Sequence, residues 1–313
     1  MRVIAIEEHF STEELLAASP RPQAAPLAAR LLDTAEGRLQ AMDEAGIDFQ
    51  VLSSSAPAVQ ELEAKAAVEM ARRVNDELAE IVAAHPDRFA GFATLPTPDP
   101  EAAAGELARC MDELGFKGTM LHGHTKGHFL DEAQFLPIWE AAASLDAAVY
   151  LHPTPPTPAV AAAYFSGIDE EVGRVLSTAA WGWHAETGLH SLRLVASGLF
   201  DRFPALQVVI GHMGENVPFS LQRADSTLAR VLHLERSVSQ YFQENFWLTT
   251  SAYFTVPPLL CALLTFGADR LMFSVDYPFS DNAQGRHFLD SAPISDADRE
   301  KLAHGNAERL LGL

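Results

Sequence analysis

Near the start of the chain, Glu7 and His9 directly follow the apolar run Val3-Ile4-Ala5-Ile6. The run holds no turn residue and reads as a β-strand, whose side chains alternate between two faces. Two residues apart, Glu7 and His9 are expected on one face, about 6–7 Å from each other along the chain. A carboxylate and an imidazole so placed, at the carboxyl end of a strand, can share one divalent cation. Three more strand-like runs end in groups of the same kind: Ala148–Leu151 in His152, Gln207–Ile210 in Gly211-His212-Met213-Gly214-Glu215, and Leu271–Ser274 in Val275-Asp276-Tyr277-Pro278-Phe279. Each has an ordinary reading alone. His152 suits a hydrogen-bonded strand end, His212 a helix cap with Glu215 in the first turn, and Asp276 a turn. Recurrence at four strand ends points instead to a metal centre with an acid/base group beside it.

A fold must bring those strand ends together. The β-type runs are Val3–Ile6, Phe49–Ser53, Phe89–Ala93, Gly118–Leu121, Ala148–Leu151, Gln207–Ile210, Phe246–Thr249 and Leu271–Ser274. Between them lie stretches with helical apolar spacing: Ala64–His85, Pro100–Leu114, Glu132–Leu145, Glu170–Leu199, Glu215–Glu235, Pro257–Phe266 and Ser295–Leu311. Gly46, Gly115 and Gly267 stand where helices hand over to strands. Alternation of this kind implies parallel strands with right-handed crossovers. Eight such runs predict a closed α/β (β/α)8 TIM barrel, 1–313, as one domain. No Gly-rich phosphate loop follows the first strand, which disfavours a dinucleotide-binding sheet. Barrels of this type carry their chemistry at the carboxyl ends of the strands, where the ionisable residues fall.

Histidines elsewhere invite a second metal. His122, His124 and His128 follow the fourth strand in a Gly-rich loop, but their spacing is loose and only Asp131 is near. They read as loop residues, with His122 and His124 able to line a pocket. His184, His190, His233, His287 and His304 fall in helical stretches and read as structural or exposed. Trp181 and Trp183 read as packing beneath the rim.

Acidic residues outnumber basic ones, 42 against 22, for a net charge of −20. With no basic cluster, nucleic acid and anionic membranes are not expected as partners. No apolar run nears the ~18 residues of a membrane span, and the chain starts straight into a strand without a signal peptide. Cys110 and Cys261 lie in apolar stretches and are expected to be reduced core thiols, which suits a cytoplasmic enzyme.

Four motifs in fixed order give the pattern a family likeness: Glu7-Glu8-His9-Phe10, Tyr150-Leu151-His152-Pro153, Gly211-His212-Met213-Gly214-Glu215 and Phe273-Ser274-Val275-Asp276-Tyr277-Pro278-Phe279. Leu31–Thr34, Ala56–Gln60, Leu192–Phe200 and Asn245–Ser251 add to it. The chain resembles, over nearly its whole length, the aromatic-acid decarboxylase branch of the amidohydrolase superfamily, which includes γ-resorcylate, 2,3-dihydroxybenzoate and salicylate decarboxylases. The resemblance implies one divalent ion, Zn²⁺ or Mn²⁺, on Glu7, His9, His152 and Asp276. It implies His212, backed by Glu215, beside the substrate, and Arg223 and Phe279 as substrate-binding residues; His122, read from its own loop as lining the pocket, is expected to bind substrate with them. The implied reaction is reversible, non-oxidative decarboxylation of an ortho-hydroxylated aromatic acid, with Asp276 protonating the ring carbon. A homo-oligomer, dimer or tetramer, is expected, with Gly167–Leu199 as a candidate interface. The competing reading is a lactonase-like metal hydrolase using metal-bound water; such enzymes mostly open with His-x-His rather than Glu-x-His. Three departures distinguish this chain. Ser11–Asp33 holds no aromatic residue, His122 and His124 stand where relatives tend to carry amide or apolar residues, and Thr154 stands where an Arg is common.

Overall fold

The computed structural model describes residues 1–19 and 22–313. Its strands are β1 (Ile4–Phe10), β2 (Phe49–Ser54), β3 (Phe89–Gly91), β4 (Ala93–Thr94), β5 (Gly118–His122), β6 (Ala148–His152), β7 (Val208–Ile210), β8 (Phe246–Thr249) and β9 (Leu271–Met272). Every ladder is parallel, in the orders β1-β2-β3 and β4-β5-β6-β7-β8-β9. The expected third strand divides at Phe92, whose N–H still reaches the Leu52 carbonyl at 2.9 Å. The two pieces therefore continue one barrel position.

Strand alternation sorts the apolar residues into two layers. Ile4, Ile6, Val51, Phe92, Met120, Tyr150, Val209, Trp247 and Met272 form one cluster, filling the barrel. Their neighbours Val3, Ala5, Leu52, Leu121, Val149, Leu151, Val208, Ile210 and Leu248 pack in the other, against the helices. The inner cluster stops short of the strands' carboxyl ends. Polar side chains take over there.

The seam between β1 and β9 has no ladder and is closed largely by side chains. Ser274 Oγ accepts the Ile6 N–H at 3.0 Å. The Glu8 carboxylate accepts the Val275 and Tyr277 N–H groups at 2.8 and 3.0 Å. One backbone bond joins them, from His9 N–H to the Tyr277 carbonyl at 2.6 Å. Arg38, wholly buried, donates to the carbonyls of His9 (2.5 Å) and Asp33 (3.0 Å) and to Gln50 Oε1 (3.2 Å). Burial pushes its guanidinium down to about 10 and pushes Glu8 up to about 8 against its two N–H donors.

Several helices differ from expectation. Glu170–Leu199 is not continuous: helices Glu170–Ser177 and Gly182–Ala196 are separated where Thr178 Oγ1 donates to the Arg174 and Val175 carbonyls, a local bond that competes with the helical ladder. Glu132–Leu145 starts as a 3₁₀ turn before Leu136–Ser144, and Glu215–Glu235 shortens to Val217–Leu228. Ser295–Leu311 carries a π turn, Lys301–Gly305, which turns the Leu302 carbonyl to the Phe273 N–H at 2.8 Å. The stretch Ser11–Asp33, which lacks aromatic residues, holds helices Glu13–Ala18 and Ala25–Leu32. Its residues Pro20 and Arg21 lie outside the described residues. Cys110 is buried, Cys261 half-buried, and both are free. Among the described residues, no helix is long and apolar enough to cross a membrane.

Candidate metal centre and active site

Simple alternation from Ile4 and Ile6 would turn Glu7 toward the helices. The β1–β2 register shifts between Ala5 and Glu8, and this irregularity returns Glu7 and then His9 to the inner face. Both are wholly buried. Glu7, His9, His152 and Asp276 each bring a ligand atom within 4.8 Å of the others. His9 Nε2 lies 3.2 Å from Asp276 Oδ1, and His152 Nε2 lies 3.4 Å from Glu7 Oε1.

Hydrogen bonds behind these groups aim them. Glu7 Oε2 accepts from Thr249 Oγ1 at 3.2 Å and from the hydroxyls of Tyr150 and Ser251. His152 Nδ1 donates to the Pro153 carbonyl at 2.8 Å, and His9 Nδ1 meets Ser53 Oγ at 3.3 Å. Each arrangement leaves an Nε2 lone pair or a carboxylate oxygen facing the common centre. Gly211 makes room: a Cβ there would lie 2.7 Å from Glu7 Oε2 and 3.1 Å from Tyr150 Oη.

Glu7 Oε1 and His9 Nε2 are buried with no hydrogen-bond partner; the His9 contact with Asp276 is close but off the direction a hydrogen bond needs. Buried polar atoms are rarely left so, because an unmet group costs about 1–3 kcal/mol. Two unpartnered donor atoms beside a second imidazole and a second carboxylate fit a divalent cation.

Beside this cluster stands His212, reached from β7. Its Nδ1 is 2.7 Å from Glu215 Oε1, while its Nε2 is 3.9 Å from both Glu7 Oε1 and Asp276 Oδ2. His212, Met213, Glu215, Asn216 and Asp276 all have positive φ, between 50° and 71°. Non-glycine residues hold that conformation only where surrounding contacts fix it, and such residues gather at functional sites.

Charge is set by competition between burial and partners. Burial pushes Glu7 up, with His212 and His9 opposing. Burial also pushes Asp276 up, but His212 and His9 more than offset it and hold the carboxyl below its usual range. Burial drives His212 down, but Glu215 and Glu7 more than offset it and hold His212 well above its usual range.

His122 pairs in register with His152 across β5 and β6, and their Nδ1 atoms are 3.1 Å apart. Burial holds His122 down to about 3, and it is therefore neutral at pH 7. Gln60 grips its backbone from both sides, accepting the N–H at 2.6 Å and donating to the C=O at 3.2 Å. His122 and His124 both line a cavity of about 820 Å³ with Gln60, Thr154, Pro156 and Thr157. His124 accepts the Gly127 N–H and meets the Pro155 carbonyl, each at 3.1 Å, bracing the two loops that wall the cavity. His128 is exposed and pairs with Glu132.

Phe279 is half-exposed and meets the His9 ring edge-on at 5.5 Å, over the cluster. Arg223 is not brought to the cluster within the chain. It is exposed on helix Val217–Leu228, and its guanidinium makes no hydrogen bond or ion pair among the described residues. Trp181, expected to pack beneath the rim, is 56% exposed and lies in the break between helices, directly before helix Gly182–Ala196.

Sequence reasoning passed over His184, Tyr150, Thr249, Ser251 and Glu8. Of the two readings its helical position allows, structural or exposed, His184 takes the first: it is buried with Nδ1 2.6 Å from Glu215 Oε2. Only the adjacent Glu in the Glu7-Glu8 pair carried a visible signal, since two consecutive carboxylates on a buried strand must face different partners.

Carboxylates and imidazoles gathered at the strand ends of a parallel α/β barrel are an arrangement able to hold a divalent cation. The family model described as Amidohydrolase matches residues 9–313, and the chain belongs to that family. Among curated proteins it is 43% identical to the γ-resorcylate decarboxylase of Polaromonas sp. (strain JS666 / ATCC BAA-500), over 99% of this chain and 98% of that one. Among solved structures it is similar to a 2,6-dihydroxybenzoate decarboxylase complexed with 2,6-dihydroxybenzoate, with TM-score 0.93, 39% identity and full coverage of both chains. It is also similar to the dihydroxybenzoic acid decarboxylase of Polaromonas sp. JS666 with bound manganese and the inhibitor 2-nitroresorcinol. That match has TM-score 0.92 and 43% identity, covering 100% of this chain and 97% of the other.

Proposed function

We propose that this chain is a metal-dependent, non-oxidative decarboxylase of an ortho-hydroxylated aromatic carboxylic acid, a carboxy-lyase of the dihydroxybenzoate type. The observation that carries the reading is the buried cluster of Glu7, His9, His152 and Asp276 with two unpartnered ligand atoms, in a chain similar along its whole length to γ-resorcylate decarboxylases. We assign those four residues to one divalent ion, manganese in preference to zinc given the manganese in a similar structure. A cation held by Glu7, His9, His152 and Asp276 would supply Lewis acidity toward the oxygens of the acid.

The protein supplies the proton. Decarboxylation breaks the bond from ring carbon to carboxylate and leaves its electron pair on the ring, where a proton must replace CO₂. Asp276 delivers that proton, and His212 Nε2, facing Asp276 Oδ2, replenishes it. His212 Nε2 stands 3.9 Å from Asp276 Oδ2, so His212 is the reservoir and Asp276 the point of delivery. Glu215 fixes the His212 ring. Phe279 covers the aromatic ring, and His122 contacts its far side from the cavity wall. The same steps reversed carboxylate a phenol at high bicarbonate.

We further propose that residues 1–313 form a single barrel domain, and that two or more copies assemble in the cytoplasm. Support for assembly comes from the exposed apolar side chains Tyr164, Val172, Trp181, Phe219 and Leu264. Arg223 lies one helical turn beyond Phe219, on the same face of helix Val217–Leu228, so it would meet an aromatic acid only across such an interface.

The test is metal analysis of the purified protein, followed by a panel of ortho-hydroxybenzoates assayed for CO₂ release in ¹⁸O-labelled water. About one Mn²⁺ or Zn²⁺ per chain and CO₂ release without ¹⁸O uptake into the organic product are expected. Uptake of ¹⁸O without CO₂ would establish a hydrolase.

A further inference from the structure

Glu215 is wholly buried, and its two oxygens are divided between two imidazoles: Oε1 to His212 Nδ1 at 2.7 Å and Oε2 to His184 Nδ1 at 2.6 Å. The second ring nitrogen of His184 meets the Ala179 carbonyl at 2.9 Å, in the turn between helices Glu170–Ser177 and Gly182–Ala196. The three side chains can be read as a second potential metal group, since their ligand atoms also lie within 4.8 Å of one another. Hydrogen bonding already occupies those atoms, and none of the three is left with an unpartnered buried atom. A cation there would displace two short bonds to gain its own.

We infer that His184 is a positioning residue: through Nδ1–H it fixes the Glu215 carboxylate, and thereby the face that His212 presents to Asp276. This rests on the decarboxylase reading for its catalytic consequence, though not for its geometry. Without His184, Glu215 Oε2 has no other hydrogen-bond donor among the described residues, and the carboxylate is free to rotate away from His212. The helix is built to come this close. Gly188, one turn after His184, stands where a Cβ would lie 2.5 Å from the Glu215 carbonyl oxygen. The His184 ring also meets the rings of His212 and Tyr253, at 5.0 and 5.3 Å, and is therefore packed as well as tethered.

The two nitrogens of His184 can be separated by substitution. Asn places its amide nitrogen near the position of Nδ1 and keeps the donor to Glu215. Gln places its amide nitrogen near Nε2 and keeps only the bond to Ala179. The expected result is that His184→Asn stays within about 3-fold of the parent kcat, whereas His184→Gln loses about 10–100-fold. KM, metal content and melting temperature should stay near parental values in both variants. Independently of turnover, ¹⁵N-edited NMR of the histidine ring protons should retain the His212 Nδ1–H resonance in the Asn variant and shift or lose it in the Gln variant. Equal losses in the two variants, or an unchanged His212 resonance in His184→Gln, would overturn the inference. If the parent turns over no ortho-hydroxybenzoate, the decarboxylase reading fails, and the NMR comparison still decides whether His184 positions His212.

Discussion

Two buried carboxylates reached by opposite nitrogens of His212, Glu7 and Glu215, face opposite situations at the barrel mouth. Glu7 shares its centre with His9, His152 and Asp276, and keeps one oxygen without a hydrogen-bond donor. Glu215 has a donor for each oxygen. Burial pushes both upward, yet Glu215 ends below its usual range because two imidazoles serve it, and Glu7 ends above. Residue composition alone does not separate these clusters, as each combines imidazoles with a carboxylate. Satisfaction separates them. A centre with unmet lone pairs calls for a cation, whereas a centre that closes its own hydrogen bonds transmits orientation.

The sharpest way to break this contrast is to remove one ligand from the first cluster. His9→Ala should abolish stoichiometric metal and lower decarboxylation by about 10³-fold or more, measured by metal analysis and CO₂ release. Retention of one ion per chain would undo the ligand assignment. Next, Asp276→Asn should cost about 10²–10⁴-fold in kcat while leaving KM for the acid within a few-fold, which steady-state kinetics would resolve. In the second cluster the expected loss is smaller: Glu215→Gln should reduce kcat about 10–100-fold with full metal content. A Glu215 variant emptied of metal would mean that the two clusters are one. Glu8 lies outside both, on the seam, and Glu8→Ala should lower stability by about 2–4 kcal/mol in urea unfolding, because two buried N–H groups lose their acceptor. Phe279→Ala should be mildest, raising KM by roughly 5-fold, about 1 kcal/mol of ring contact, with little change in kcat.

The alternation of strand and helix, and the ionisable residues at four strand ends, were legible because both follow from local chemistry. Apolar runs of a few residues between helical patterns mark strands, and barrels keep polar groups where those runs stop. Less legible were the breaks inside helices, which hang on single bonds such as that of Thr178 to Arg174 and Val175. The burial of His184 was hidden for a related reason. A histidine on a helix reveals its partner only when another element arrives, here the β7 loop packed against Gly188.

The chain's own order of residues determined the parallel α/β architecture, the family likeness and the identity of the groups available for a cation. Tertiary structure alone decided how they face. The β1–β2 register shift accompanies the inward turn of Glu7 and His9, contrary to plain alternation from Ile4 and Ile6, and a register exists only between two paired strands. Likewise, whether a buried oxygen is satisfied depends on side chains as distant in sequence as Tyr150 and Ser251 are from Glu7. Local preference can fix where a chain bends and which face is apolar. The unmet atoms that define a metal site exist only once every other donor and acceptor has found its partner.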